Sequence, residues 1–347
     1  MESNQRTAIG GIHTSTMKFD VQIIKEFLLE HPDIGSRTAA SALMALYPEL
    51  FINYNSVYHK VRYYRGEQKG NSCPIPIAVR TDEQKIEAMG WKKSLPESDY
   101  QEIETFTFPA GSNRILILSD IHLPYQDNEA LSIAIDYGIK NGANCIFLNG
   151  DTIDMYQASR FIKDPRLRSL SGELQMTRDF FETLNEAIPG PIYFKLGNHE
   201  ERWENYLKVR APELLGITDF ELQHILQFGK YGVQLIKSKQ KVMIGKLAVM
   251  HGHEFGNSVF SPVNPARGLF MKAKASCIIG HHHQTSEHSE KDMHGNVVTT
   301  FSQGCLCGLS PEYLPYNKWN HGFIFVEVEP SGEYKVRNLR IIDGKVR

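Results

Sequence analysis

Five short apolar runs in this chain each break off into carboxylate, imidazole or amide side chains, and that repeated ending limits the fold more than any other feature. The runs are RILILSD, ANCIFLNGD, IYFKLGNHE, KLAVMHGHE and SCIIGHHH. Helical segments such as ALSIAIDYGIK and ELQMTRDFFETLNEA separate the earlier ones. Strand-then-helix alternation implies an α/β fold, and runs without polar alternation imply strands buried on both faces. Later segments, NVVTTFS, GFIFVEVE and EYKVRNLRII, lie closer together and imply antiparallel pairing. A polar residue one step past a buried strand lies on the rim of the sheet, where sites in such folds form. Five clusters from five strands can therefore converge: Asp120 with His122, Asp151 with Asp154, Asn198 with His199, His251, and His281 with His283.

Carboxylate, imidazole and amide ligands without thiolate suit borderline-to-hard divalent ions, Mn²⁺ first and then Fe²⁺, Zn²⁺ or Ni²⁺. There are too many for one ion and about enough for two that share a carboxylate. Two such ions, less two aspartates and a bridging hydroxide, leave about one positive charge, which attracts a phosphate ester.

In order, Asp-x-His (Asp120, His122), Gly-Asp-x-x-Asp (Gly150, Asp151, Asp154), Gly-Asn-His-Glu (Gly197 to Glu200), His251 and Gly-His-x-His (Gly280, His281, His283) resemble the motifs of the calcineurin-like metallophosphoesterases, over residues 112–347. The resemblance implies a fold of two mixed β-sheets sandwiched between helices. It implies one ion held by Asp120, His122, Asp151 and His283, and a second by Asp151, Asn198, His251 and His281. It further implies a metal-bound hydroxide as nucleophile, with His199 assisting the leaving oxygen and Asp154 orienting His199. Phosphoprotein phosphatases of this superfamily follow the second aspartate with arginine, whereas Met155 stands here. Arg160 and Arg202 are the candidate substitutes for that phosphate contact, and His253 is a candidate substrate contact.

The remaining candidates have plainer readings. His282 alternates away from the ligands beside it. His288 and His294 fall in EHSEKDMHGN, which reads as an exposed hairpin turn, and Cys305 and Cys307 read as packing residues. Trp319, Asn320 and His321 either line a substrate groove or close a strand edge.

The length of 347 residues exceeds what one core supports. Residues 18–66 read as three short helices of helix-turn-helix type, 67–111 as a linker, possible short helix (81–93) and edge strand, and 112–347 as the phosphoesterase domain. On the third helix His59, Lys60, Arg62 and Arg65 form a basic run, a candidate nucleic-acid contact. Residues 1–70 hold only eight Lys/Arg against seven Asp/Glu, so a protein-docking module is equally open. A head, linker and phosphoesterase in series resembles proteins carried by phages and mobile elements. With 41% apolar residues and a net charge of −2, the chain is neither disordered nor a nucleic-acid binder by overall charge. No apolar run nears the roughly 18 residues of a membrane helix. The start, MESNQRTAIGGIHTS, has no apolar leader core, and five cysteines lack a Cys-x-x-Cys pair, so the expected location is cytoplasmic.

The favoured expectation is a two-metal phosphodiesterase or nuclease acting on nucleic acid. The alternatives are a phosphomonoesterase with a protein-docking head, and a DNA-binding regulator with an inactive phosphoesterase scaffold.

Overall fold

The computed structural model describes residues 13–70, 72–76, 82–89, 95–162, 164, 169–256 and 263–347. The amino-terminal stretch 1–12, together with Thr81 and residues 90–93 of the expected helix 81–93, lies outside them. The chain forms two compact units, residues 1–100 and 101–347.

The first unit contains α1 (His13–Glu30), α2 (Ser36–Leu46), α3 (Tyr54–Arg65) and the short α4 (Asp82–Met89). Ile24, Leu28, Ala39, Leu43, Val57 and Val61 are buried together, one face from each of the first three helices. Gly66 ends α3 with φ of 77°, a left-handed conformation that glycine adopts without a Cβ penalty. The sequence offers Ser36 as the cap of α2 and Asn55 or Ser56 as the cap of α3, and the structure differs at both. Ser36 is the first helical residue of α2, and its hydroxyl donates to Glu67. Asn53, not Asn55 or Ser56, caps α3 by accepting from Ser56 N–H at 3.2 Å.

The second unit has thirteen strands among its described residues. They are β1 (Phe106–Thr107), β2 (Arg114–Leu118), β3 (Cys145–Asn149), β4 (Ile192–Lys195), β5 (Val233–Ile236), β6 (Val242–Ile244), β7 (Leu247–Val249), β8 (Cys277–Ile279), β9 (Ser286–Lys291), β10 (Val297–Ser302), β11 (Gly322–Val328), β12 (Tyr334–Ile342) and β13 (Lys345–Val346). They form two mixed sheets, ordered β13-β12-β11-β2-β3-β4-β5 and β1-β6-β7-β8-β10-β9. The helices are α5 (Asn128–Lys140), α6 (Leu170–Ala187), α7 (Glu201–Arg210), the single turns α8 (Leu222–Ile225) and α9 (Phe228–Tyr231), and α10 (Pro265–Ala273).

Side-chain alternation explains the sandwich. Ile115 and Ile117 of β2 point between the sheets with Phe147, Val249, Ile278 and Phe301. Leu116 and Leu118 point the other way, onto Ala134 of α5 and Phe181 and Leu184 of α6. Leu269 of α10 covers Cys277 and Ile279 on the outer face of the second sheet. Both faces of the central strands are thus buried, which is why RILIL and CIFLN read as unbroken apolar runs.

One segment departs from the sequence reading. Residues 286–291 are not a turn but the edge strand β9, paired antiparallel with β10. Its polar alternation suits a sheet edge that must resist further pairing. His288 is accordingly half-buried against the Phe270 ring, with centroids 5.2 Å apart, while His294 stays exposed in the turn. Among the described residues no helix is long and apolar enough to cross a membrane.

Candidate metal centre

The candidate ligands follow β2, β3 and β4 of one sheet and β7 and β8 of the other, so the site lies where the carboxyl ends of both sheets meet. A chain leaving a strand must turn sharply to aim a side chain back over the rim. Asp120, His122, Asp151, His281 and His283 all do so at φ between 51° and 62°, as does Met155 at 53°. Such conformations are costly for residues with a Cβ, and concentrate where surrounding contacts enforce them at working sites. The enforcing contacts are present: Asp120 N–H donates to Gly150 O at 3.1 Å, His122 N–H to Asp151 O at 3.0 Å, and Gly280 N–H to His251 O at 2.7 Å. Space is equally tight. A Cβ on Gly197 would lie 2.3 Å from Asp151 Oδ1, and one on Gly280 would lie 2.2 Å from Ser119 Oγ, which fixes both motif glycines as glycine.

The structure brings six of the seven sequence-derived ligands into contact distances. Asp120, fully buried, accepts from Ser119 Oγ at 2.6 Å and His281 N–H at 2.9 Å, and its Oδ1 is 3.1 Å from His283 Nε2. His283 and His122 face each other Nε2 to Nε2 at 3.3 Å. Asp151 Oδ2 lies 3.3 Å from His251 Nε2 and 3.9 Å from His122 Nε2. One ligand atom each from Asp151, His251 and His281 lies within 4.8 Å of the others. The seventh, Asn198, precedes His199, whose N–H donates to Asp151 Oδ1 at 2.9 Å.

These residues fit a pair of divalent cations. Asn198 Oδ1 and His251 Nε2 are buried without a hydrogen-bond partner, an arrangement that costs free energy unless another group satisfies them. Two imidazole nitrogens facing each other beside a carboxylate are likewise a lone-pair arrangement that a cation satisfies. His251 Nδ1–H donates to Asn149 O at 2.7 Å, which leaves the Nε2 lone pair of the neutral ring open to a cation beside Asp151.

Burial alone would depress His251 and His283, but the carboxylates of Asp151 and Asp120 outweigh it and raise both to about 10. Burial would raise Asp120, Asp151 and Asp154; the surrounding histidines outweigh it and hold all three well below the usual carboxylate range. Burial lowers His281 to about 3.

His199 makes contacts at both ring nitrogens. Nδ1 is 3.0 Å from Asp154 Oδ1 and from Asp154 O, and Nε2 accepts from Arg202 Nη2 at 2.8 Å. Arg202 also donates to Asp154 O at 2.7 Å. Its guanidinium therefore braces the His199–Asp154 pair rather than standing free. Arg160 is exposed and lies over the Phe161 ring at 5.3 Å. His253 Nε2 is 3.0 Å from Ser238 Oγ, and its ring centroid is 5.4 Å from that of His251. In the first unit His59 is exposed, Lys60 pairs with Asp20 at 2.5 Å, Arg62 lies 3.6 Å from Glu67, and Arg65 donates to Pro32 O at 3.4 Å.

Three residues near the ligands, Glu200, Lys195 and Cys307, were given no part in the site by the sequence reading. Glu200, buried, accepts four backbone N–H groups: Thr152 at 2.8 Å and Ile153 at 3.2 Å on Oε1, Asp151 at 3.0 Å and Gly197 at 2.8 Å on Oε2. Burial and the Asp151 charge push its carboxyl up to about 7. Its place at the end of Gly-Asn-His-Glu was the available signal. Lys195 is buried with Nζ 3.0 Å from Glu254, which in turn accepts Gly252 N–H at 2.6 Å beside His251. Cys307, read as packing, places Sγ 3.9 Å from His283 Nδ1. Asn320 and His321 close the strand edge, through Thr285 and Cys307 O, whereas the Trp319 ring packs on His283 with centroids 4.1 Å apart.

Residues 113–313 match the family model of the calcineurin-like phosphoesterases. The Gene 54 protein of Mycobacterium phage L5 is 30% identical over 246 residues, 67% of this chain and 96% of that protein, and its counterpart in phage D29 is 29% identical over 248 residues, 67% and 96%. Among solved structures, a Vps29 variant from Entamoeba histolytica is similar at a TM-score of 0.36 and 14% identity, covering 67% of this chain and 96% of that one. The phosphoesterase Yfce from E. coli is similar at 0.32 and 12% identity, covering 65% and 98%.

Proposed function

The chain belongs to the calcineurin-like phosphoesterase family and is a metal-dependent phosphoesterase, and from that premise we propose that it hydrolyses phosphodiesters, with nucleic acid or a nucleotide as substrate and Mn²⁺ as the working metal. The observation that carries the diester reading is the position after Asp154. Met155 is fully buried there, packed with Ile153, Ala158, Leu174 and Trp203. Among the described residues that position offers an apolar side chain where the protein phosphatases of the superfamily have a cation for a doubly charged monoester. A diester carries one negative charge and needs less.

The ion pair, when bound, supplies positive charge for the phosphoryl oxygens and acidifies a water at neutral pH. Asp120, His122, Asp151 and His283 would hold one ion and Asp151, Asn198, His251 and His281 the other. His199, once Nε2 has taken up a proton and Arg202 has turned aside, would pass that proton to the departing oxygen. Its Nδ1 is held by Asp154, so the ring presents Nε2 outward; Arg202, donating to that nitrogen, keeps it positioned until substrate takes its place. His253, whose ring lies beside that of His251, would be a further substrate contact. The amino-terminal unit would bring the enzyme to DNA, with His59 the exposed member of the basic run.

The test is a rate comparison with Mn²⁺ on bis-p-nitrophenyl phosphate and p-nitrophenyl phosphate. Faster turnover of the bis ester supports the diester reading; turnover of the monoester alone overturns it.

A further inference from the structure

We infer that residues 308–320 form a wall that receives the organic part of the substrate, and that Tyr313 stacks a nucleobase there with the Trp319 ring against its edge; the inference rests on the phosphodiesterase reading and narrows it to esters of nucleotides. The segment is anchored at both ends in the site. Gly308 N–H donates to Tyr125 O at 2.9 Å, three residues past His122, and Asn320 N–H donates to His283 O at 2.9 Å. Between these anchors it braces itself. Asn317 Nδ2 donates to Leu309 O at 2.7 Å and Leu314 O at 2.9 Å, and its Oδ1 accepts Trp319 N–H at 2.8 Å.

This bracing leaves the Trp319 ring half-buried and the two tyrosines in water. Tyr313 is 78% exposed and Tyr316 95% exposed. The rings also run in sequence outward from the metal centre. Trp319 meets His283 at 4.1 Å, and Tyr313 meets Trp319 at 6.3 Å, with planes inclined by 60° and 64°. The Tyr313 phenol lies close enough to Asp154 and Arg202, the groups that hold His199, to feel their charges. One end of this row therefore touches a metal-ligand imidazole and the other stands open beside the proton-relay group. Aromatic rings held in place yet left in water beside a phosphoryl site are a surface for a flat, weakly polar ligand. A nucleobase is the planar group that a phosphodiester brings to that distance, and stacking on aromatic side chains accepts any base.

The test uses the Mn²⁺-loaded full chain and two diesters that release the same p-nitrophenolate, the p-nitrophenyl ester of thymidine 5′-phosphate and methyl p-nitrophenyl phosphate. The wild type should favour the thymidine ester in kcat/KM by about tenfold or more. Tyr313→Ala should collapse that ratio, chiefly through KM, and Tyr313→Phe, which keeps the ring, should retain it. Equal metal content and circular dichroism of the variants establish that the fold is intact. A wild type with no preference, or a ratio unmoved by Tyr313→Ala, overturns the stacking wall and leaves the diesterase reading in place. A wild type that cleaves neither ester overturns the diesterase reading itself and the wall with it.

Discussion

A histidine with both ring nitrogens in hydrogen-bond contact is a positioned histidine, and His199 is one. Removing the ring should leave the ligand set untouched, because His199 reaches Asp151 through its backbone N–H. His199→Ala should therefore lower kcat by about 10²–10⁴, the usual contribution of a positioned proton-transfer group, while elemental analysis still finds both metals. Asp154→Asn keeps the shape but exchanges a carboxylate oxygen for an amide at the His199 and His122 contacts. It should cost about 10–100-fold in turnover, the common penalty for losing the partner that orients an imidazole. Asp151 differs in kind. Its two oxygens face His251 and His122 on one side and the His199 backbone on the other, so Asp151→Asn should reduce metal content toward zero at both positions rather than at one.

At the scale of elements, the ligand loops are held by groups that no local sequence pattern reveals. The five strands were legible because burial on both faces leaves an apolar run, and the candidate ligands were legible because each stands two to four residues past such a strand. The cap of α3 was off by two or three residues because Asn53, Asn55 and Ser56 are all good caps and only the packed structure selects among them. β9 was read as a turn because an edge strand with one wet face carries the same polar residues as a loop. Glu200 stood in a quoted motif, yet its task is set by four backbone N–H groups, three of them from the loop after β3, and such partners appear only in three dimensions. Glu200→Ala leaves those four donors in a buried place. It should destabilise the metal-free protein by about 1–3 kcal/mol, the cost of leaving buried donors without their acceptor, measured by urea unfolding. A loss under about 0.5 kcal/mol would mean that the loops hold themselves.

At the scale of the whole molecule, the sandwich exists to bring two sheets' worth of strand ends to one place, and neither sheet alone carries the full set. The two compact units give a further expectation. Removing residues 1–100 should leave hydrolysis of a small diester within about threefold of the full chain, since every candidate ligand lies beyond them; if the head docks on DNA, the same truncation removes most affinity for duplex DNA in a gel-shift titration at low salt. The basic run was legible in sequence, but not that Lys60, Arg62 and Arg65 turn to Asp20, Glu67 and Pro32, because those partners come from other parts of the head. The central claim is that side chains from both sheets cage two cations around one aspartate. Anomalous diffraction at the manganese edge from Mn²⁺-soaked crystals tests it directly. The account predicts two peaks about 3.5–4 Å apart, the usual spacing of such pairs, with the Asp151 carboxylate between them. A single peak, or a pair that Asp151 does not touch, would contradict it.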